Sequence, residues 1–291
     1  MRFDIYEPTM LQSFTLCPEK FHLRYVEGIE SEGNLAMFRG LIGHQVLGNP
    51  KETLDDIFHA AVANYRTGIL RPRFDLPFED EWKLHDELTE SINGWYRFVA
   101  QRDIKIIERE KRIEFECAGR KFLGTIDLIY SSPLNPPGTV CIGDFKFGRR
   151  QSDRQMDRNL QHALYWYGAT KLGLPVHHNT WISMNDLIPY KTNGPKAKKG
   201  QLKGQVLYPI EISEVDVPWI EEQVARICSY IEAGVRYQAS YGTEAPCVIC
   251  EYANHACSRF KAGRGAQYRQ DMVAMSQAVK EAALVKAIED E

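Results

Sequence analysis

Three charged side chains in two short stretches could act together. Asp127 ends Gly124-Thr125-Ile126-Asp127, and Asp144 and Lys146 flank Phe145. Two carboxylates held close repel unless a cation sits between them. Mg²⁺ or Mn²⁺ takes oxygen ligands and would bridge such a pair to a phosphate. A lysine beside them could orient or help deprotonate an attacking water and steady developing negative charge. The chemistry would be metal-assisted cleavage of a phosphodiester. An Asp-x-Lys alone on a strand reads as a salt bridge at a sheet edge. Asp127 upstream, and Gln161 with Tyr165 four residues on, tip that balance.

The elements that must hold these groups are legible in the pattern. Val140 to Phe147 is apolar and β-branched at its start, which predicts a strand over 139–147. Side chains alternate across a strand, so Asp144 and Lys146 share a face. A second strand over 120–131 carries Asp127 near its middle, and a third covers 105–117, making a meander. Helical spacing over 153–172 puts Arg154, Arg158, Gln161 and Tyr165 on one face at steps of four, three and four. Such a face can meet a nucleic-acid backbone or can simply be solvated. Further helices are expected at 8–26, 36–47, 52–67, 79–102, 214–240 and 266–289, with strands near 178–185 and 205–212.

Gly-x-Ile-Asp, then Asp-x-Lys, then Gln-x-x-x-Tyr resembles the PD-(D/E)XK nuclease superfamily. More narrowly it is similar to the RecB-like exonucleases, including CRISPR-associated and AddB-type members. Arg39-Gly40-Leu41-Ile42-Gly43-His44 matches that family's early Arg-Gly-x-x-x-His element. The resemblance implies an α/β restriction-endonuclease-like core, a central mixed sheet flanked by helices, with an N-terminal helical cap. It implies a metal held by His44, Asp127, Asp144 and the Phe145 carbonyl, with Lys146 assisting the water. Gln161 and Tyr165 would position the DNA strand and the active-site water. The family often carries a glutamate four residues after this histidine, and here that position is Gly48. The implied function is a Mg²⁺- or Mn²⁺-dependent deoxyribonuclease acting at DNA ends as an exonuclease. The rivals are an endonuclease on the same fold and a non-catalytic DNA-binding or scaffolding subunit. Motif residues cannot separate the exonuclease from the endonuclease.

Seven cysteines divide into two groups. Cys117, Cys141 and Cys228 sit in strand-like or helical runs and read as small core residues. Cys247-Val248-Ile249-Cys250 followed by Cys257 places thiols where one metal or cluster could take them. Cys17, followed by Pro18, is the remaining candidate for a fourth ligand. One cysteine near the start and three near the end resembles the iron-sulfur branch of the RecB-like nucleases, where a [4Fe-4S] cluster ties the two ends of the domain. The Cys250–Cys257 gap is one residue longer than in that branch and contains His255, so a Cys₃His zinc site is the alternative. Either group would close a loop of nearly the whole chain and remove unfolded-state entropy.

Composition sets outer bounds. The 291 residues, 44% hydrophobic and 26% charged, suit a globular chain. They are expected to form one nuclease domain, with a helical part over 1–102, a core over 103–213 and C-terminal helices with the cysteines over 214–291. The odd cysteine count, without an apolar leader in the opening residues, predicts a cytoplasmic chain rather than a secreted disulfide protein. No run is long and apolar enough for a membrane. The net charge of −3 does not announce a nucleic-acid binder, although local patches matter more than the sum. One such patch is the loop Lys191–Lys203, where Lys196, Lys198 and Lys199 could grip phosphates or simply face solvent. No Gly-x-x-x-x-Gly-Lys-Ser/Thr loop is present, so any helicase activity would belong to a recombination or CRISPR partner.

Overall fold

The computed structural model describes residues 2–29, 35–66, 78–148, 159–191 and 198–236, with Cys250, Tyr252, Ala256 and Cys257. It divides into two compact units, Met1–Gln12 with Glu32–Tyr230, and Ser13–Ser31 with Ile231–Glu291.

The first unit is built on a mixed five-stranded sheet in the order β1-β2-β3-β4-β5. The strands are β1 (Lys105–Cys117), β2 (Arg120–Ser131), β3 (Val140–Lys146), β4 (Val176–Ser183) and β5 (Leu207–Ile210). β1 and β2 form a hairpin across Ala118 and Gly119, both at positive φ, which is the backbone a two-residue turn between right-twisted strands requires. β2 and β3 are antiparallel, β3 and β4 parallel, and β4 and β5 antiparallel. The parallel step needs a crossover, and it contains the helix Leu160–Lys171. Asn159 caps that helix, its side chain accepting from the Gln161 amide at 3.0 Å.

Upstream lie Pro8–Leu16 (α1), Pro18–Phe21 (α2), Leu35–Gly48 (α3), Leu54–Arg66 (α4) and Phe78–Gln101 (α5). The crossover helix is α6 and Val217–Glu232 is α7. The helical part expected as a cap is joined to the sheet by one core. Phe38 and Ile42 of α3, Ile57 of α4 and Trp95 of α5 are buried with Leu128, Phe145 and Ile182 of the sheet. Arg39 ties α3 to Glu87 of α5, and reaches Asn185 at 3.5 Å.

The expected helix over 8–26 is broken at Cys17. This residue is extended (φ −162°, ψ 106°) and accepts from the Lys20 amide through Sγ at 3.5 Å. Pro18 accounts for the break, because the residue before a proline is pushed out of the helical region. A π-helical turn, His22–Val26, follows α2. The helix expected over 214–240 begins with a 3₁₀ turn, Glu214–Asp216, and ends at Glu232, just before Gly234 at φ 71°. The expected helix over 266–289 lies outside the described residues.

In the second unit Glu19 is buried, and Arg236 grips it with Nη2 at 2.8 Å and Nε at 3.0 Å. Tyr252 donates to the Ile29 carbonyl at 3.1 Å. Leu23, Tyr252 and Cys257 form an apolar cluster against which Cys250 packs. The early and late parts of the chain thus meet within this unit. Among the described residues no helix is long and apolar enough to cross a membrane.

Candidate active site

α3, β2, β3 and α6 bring the charged groups to one place. β2 pairs with β3 so that Leu128 faces Gly143, which sets Asp127 beside the end of β3. There the Phe145 amide donates to Asp127 Oδ2 at 2.9 Å. His44 Nδ1 of α3 lies 3.3 Å from the same oxygen. α3 can approach this closely because Gly43 has no side chain. A Cβ there would sit 2.1 Å from the Phe147 ring.

Asp144 and Lys146 share a face, as the strand period requires. Lys146 Nζ lies 2.7 Å from Asp144 Oδ1 and 2.6 Å from Oδ2. The ammonium also stands over the Trp181 ring, 5.7 Å from its centre. His162 of α6, buried to 2% exposure, brings Nε2 to 3.9 Å from Asp144 Oδ2. Tyr165 is buried one turn beyond Gln161 on the same helix. Gly124 makes room for it, since a Cβ would lie 2.7 Å from Tyr165 Cε1.

Two carboxylates and one ammonium share this partly buried site. Burial, reinforced by the Asp144 charge, pushes the Asp127 carboxyl well above its ordinary range. Burial alone would lower Lys146, but the charge of Asp144, its hydrogen bond and Asp127 outweigh that and raise it. Burial holds His44 below its ordinary value and does the same to His162. Both rings are therefore biased to neutral imidazole, the form that can ligate a metal.

His44, Asp127, Asp144, Phe145 and Lys146 are thus brought together, and Gln161 and Tyr165 lie on α6, the helix whose His162 reaches Asp144. Arg154, Arg158 and Lys196 lie outside the described residues. Lys198 and Lys199 are exposed, near the backbone hydrogen bond that Tyr190 donates to the Gln201 carbonyl. Cys117, Cys141 and Cys228 are buried as expected. Cys17 and Cys257 are buried and Cys250 is partly so, while Cys247 and His255 lie outside the described residues.

Two neighbours of the site carry no motif signal in the sequence. His162 was hidden beside Gln161. Glu110 of β1 was hidden in the charged run Glu108-Arg109-Glu110-Lys111-Arg112, which reads as a solvated edge. His44, Glu110 and Asp127 each bring one ligand atom within 4.8 Å of the other two. Hairpin register could have found Glu110: with two turn residues after Cys117, position 110 falls opposite 127.

A family model described as the PD-(D/E)XK nuclease superfamily matches residues 8–257. Among solved structures the chain is similar to a candidate exonuclease from Eubacterium rectale. The two are 12% identical with a TM-score of 0.51, over 90% of this chain and 88% of that one. At that identity the likeness speaks for the fold alone. No curated protein matches.

Proposed function

The chain belongs to the PD-(D/E)XK nuclease superfamily, and on that footing we propose a divalent-metal-dependent deoxyribonuclease of the RecB-like branch that hydrolyses phosphodiesters at DNA ends. One observation carries this reading. Asp127 Oδ2 meets the His44 imidazole at 3.3 Å and the Phe145 amide at 2.9 Å beside the Asp144–Lys146 pair, a setting that penalises its charge and that a cation would relieve. The donors around that position fit Mg²⁺ or Mn²⁺: the His44 imidazole, the Asp127 and Asp144 carboxylates and the Phe145 carbonyl. When bound, such an ion would acidify a water and neutralise charge growing on the phosphate.

The chain's own residues have separable tasks in this reading. Lys146 pairs with the Asp144 carboxylate at 2.6 Å and brings a positive charge to the scissile phosphate and the attacking water. Gln161 and Tyr165, one helical turn apart on α6, position the strand and the water. Arg154, Arg158, Lys196, Lys198 and Lys199 supply phosphate contacts. The substrate is single-stranded DNA or DNA ends, with a helicase or a recombination or CRISPR complex as partner. Cys17, Cys247, Cys250 and Cys257 hold a [4Fe-4S] cluster, with Cys₃His zinc through His255 as the alternative. The grouping of Ser13–Ser31 with Ile231–Glu291 in one unit supports that staple.

The test is incubation of end-labelled linear DNA and closed circular DNA with Mn²⁺, Mg²⁺ or EDTA. Linear DNA should be shortened from its ends while the circle survives, and EDTA should stop the reaction. Asp144→Ala should abolish cleavage without unfolding the protein, because it removes a charge rather than core volume. Cleavage of the circle would make the enzyme an endonuclease. Cleavage in excess EDTA, or by Asp144→Ala, would remove this site from the chemistry.

A further inference from the structure

Resting on the metal site just proposed, we infer that Glu110 is an additional metal ligand, delivered by a distorted position in β1 into space left open over Gly48.

Four observations converge on Glu110. Its position is opposite Asp127, because its neighbours Arg109 and Lys111 pair with Leu128 and Ile126. Its backbone leaves the strand conformation, with φ at 48°, a region a long side chain enters only when its surroundings impose it. Its carboxylate arrives within 4.8 Å of a ligand atom from both His44 and Asp127. Among the described residues no hydrogen bond or ion pair engages it, whereas Glu108, two residues earlier, is paired with Lys111 at 2.9 Å.

Gly48 explains why the carboxylate fits. It stands one helical turn beyond His44 on the same face of α3. A Cβ there would lie 2.7 Å from Glu110 Cγ and 3.1 Å from both Cδ and Oε1. A side chain at position 48 and the carboxylate of Glu110 therefore compete for one volume. The glycine at the end of α3 leaves that volume to β1.

The consequence is a donor set with a third carboxylate besides Asp127 and Asp144. Each added carboxylate raises the affinity for a hard divalent cation and deepens the negative field that must be neutralised. Glu110 itself stays exposed, partial desolvation still raises it above its ordinary value, and its charge adds to that on Asp127.

Direct Mn²⁺ binding to the metal-stripped full chain tests this without reference to cleavage. The readouts are calorimetric titration and the electron paramagnetic resonance signal of free Mn²⁺. Glu110→Gln, which keeps the shape, should weaken Mn²⁺ binding by about tenfold or more. Gly48→Ala should weaken it too, by displacing the Glu110 side chain while leaving its charge in the protein. Glu108→Gln should bind as the parent does, and melting curves should show all three folded. Parent-like affinity in a folded Glu110→Gln protein overturns the inference. Asp127→Asn separates the two levels. If it loses Mn²⁺ while Glu110→Gln does not, only the role of Glu110 fails. If the parent binds no Mn²⁺, or Asp127→Asn binds it unchanged, the metal site itself fails and Glu110 with it.

Discussion

At the residue scale the decisive group is Asp127. It accepts from the Phe145 amide, faces His44 and feels Asp144. Its carboxyl titrates above the ordinary 3.8 because burial, then the neighbouring carboxylate, disfavour its charge. In the window between that value and the raised one, the folded state keeps a proton that the unfolded state has lost. Stability of the metal-free protein should therefore fall as pH rises through the window. A bound cation displaces this proton, so the rise in melting temperature on adding Mn²⁺ should grow with pH. Melts with Mn²⁺ and with EDTA from about pH 5 to about pH 8 would show it. Asp127→Asn keeps an acceptor for the Phe145 amide and should flatten the pH dependence. A Mn²⁺ increment that shrinks as pH rises would contradict the assignment.

At the scale of elements, the site depends on how near α3 comes to β3. Gly43 sets that distance, because the Phe147 ring fills the space its side chain would take. Gly43→Ala forces a shift in a packed core and should cost about 1–3 kcal/mol, with weaker Mn²⁺ binding because His44 moves with the helix. Gly40 lies one turn earlier with nothing within 4 Å of an added Cβ. Gly40→Ala should be neutral or stabilising by up to about 1 kcal/mol, from helix propensity alone. Urea melts of the two variants give the comparison. Equal stability for both would mean that α3 does not rest on Phe147.

At the scale of the whole molecule, Ser13–Ser31 and Ile231–Glu291 form one compact unit. The Glu19–Arg236 pair and the Leu23–Tyr252–Cys257 cluster hold it together. If a [4Fe-4S] cluster completes this unit, protein purified without air should be brown, with iron and acid-labile sulfide in equal amounts. Cys17→Ala should lose colour and stability, whereas Cys228→Ala, which changes a buried thiol, should keep its iron. Zinc in place of iron, released by His255→Ala, would retain the staple and replace the cluster. Full metal content in the Cys17→Ala protein would remove Cys17 from the ligand set.

What the sequence determined by itself follows from local rules. The two-residue period of β3 made Asp144 and Lys146 neighbours, and the four-residue step of α6 did the same for Gln161 and Tyr165. The apolar, β-branched start of β3 placed that strand, because a strand's pattern is local. Pro18 is equally visible, and it breaks the chain at Cys17 where the flanking periodicity alone predicts one continuous helix. Only the tertiary structure decided the rest. Whether α3 brings His44 to Asp127 depends on the space between Gly43 and Phe147, which are over a hundred residues apart. The place of Glu110 beside them depends on hairpin register, a left-handed backbone position and a vacancy over Gly48. None of these is a property of a contiguous segment, since long-range packing selects which of many charged side chains share a volume.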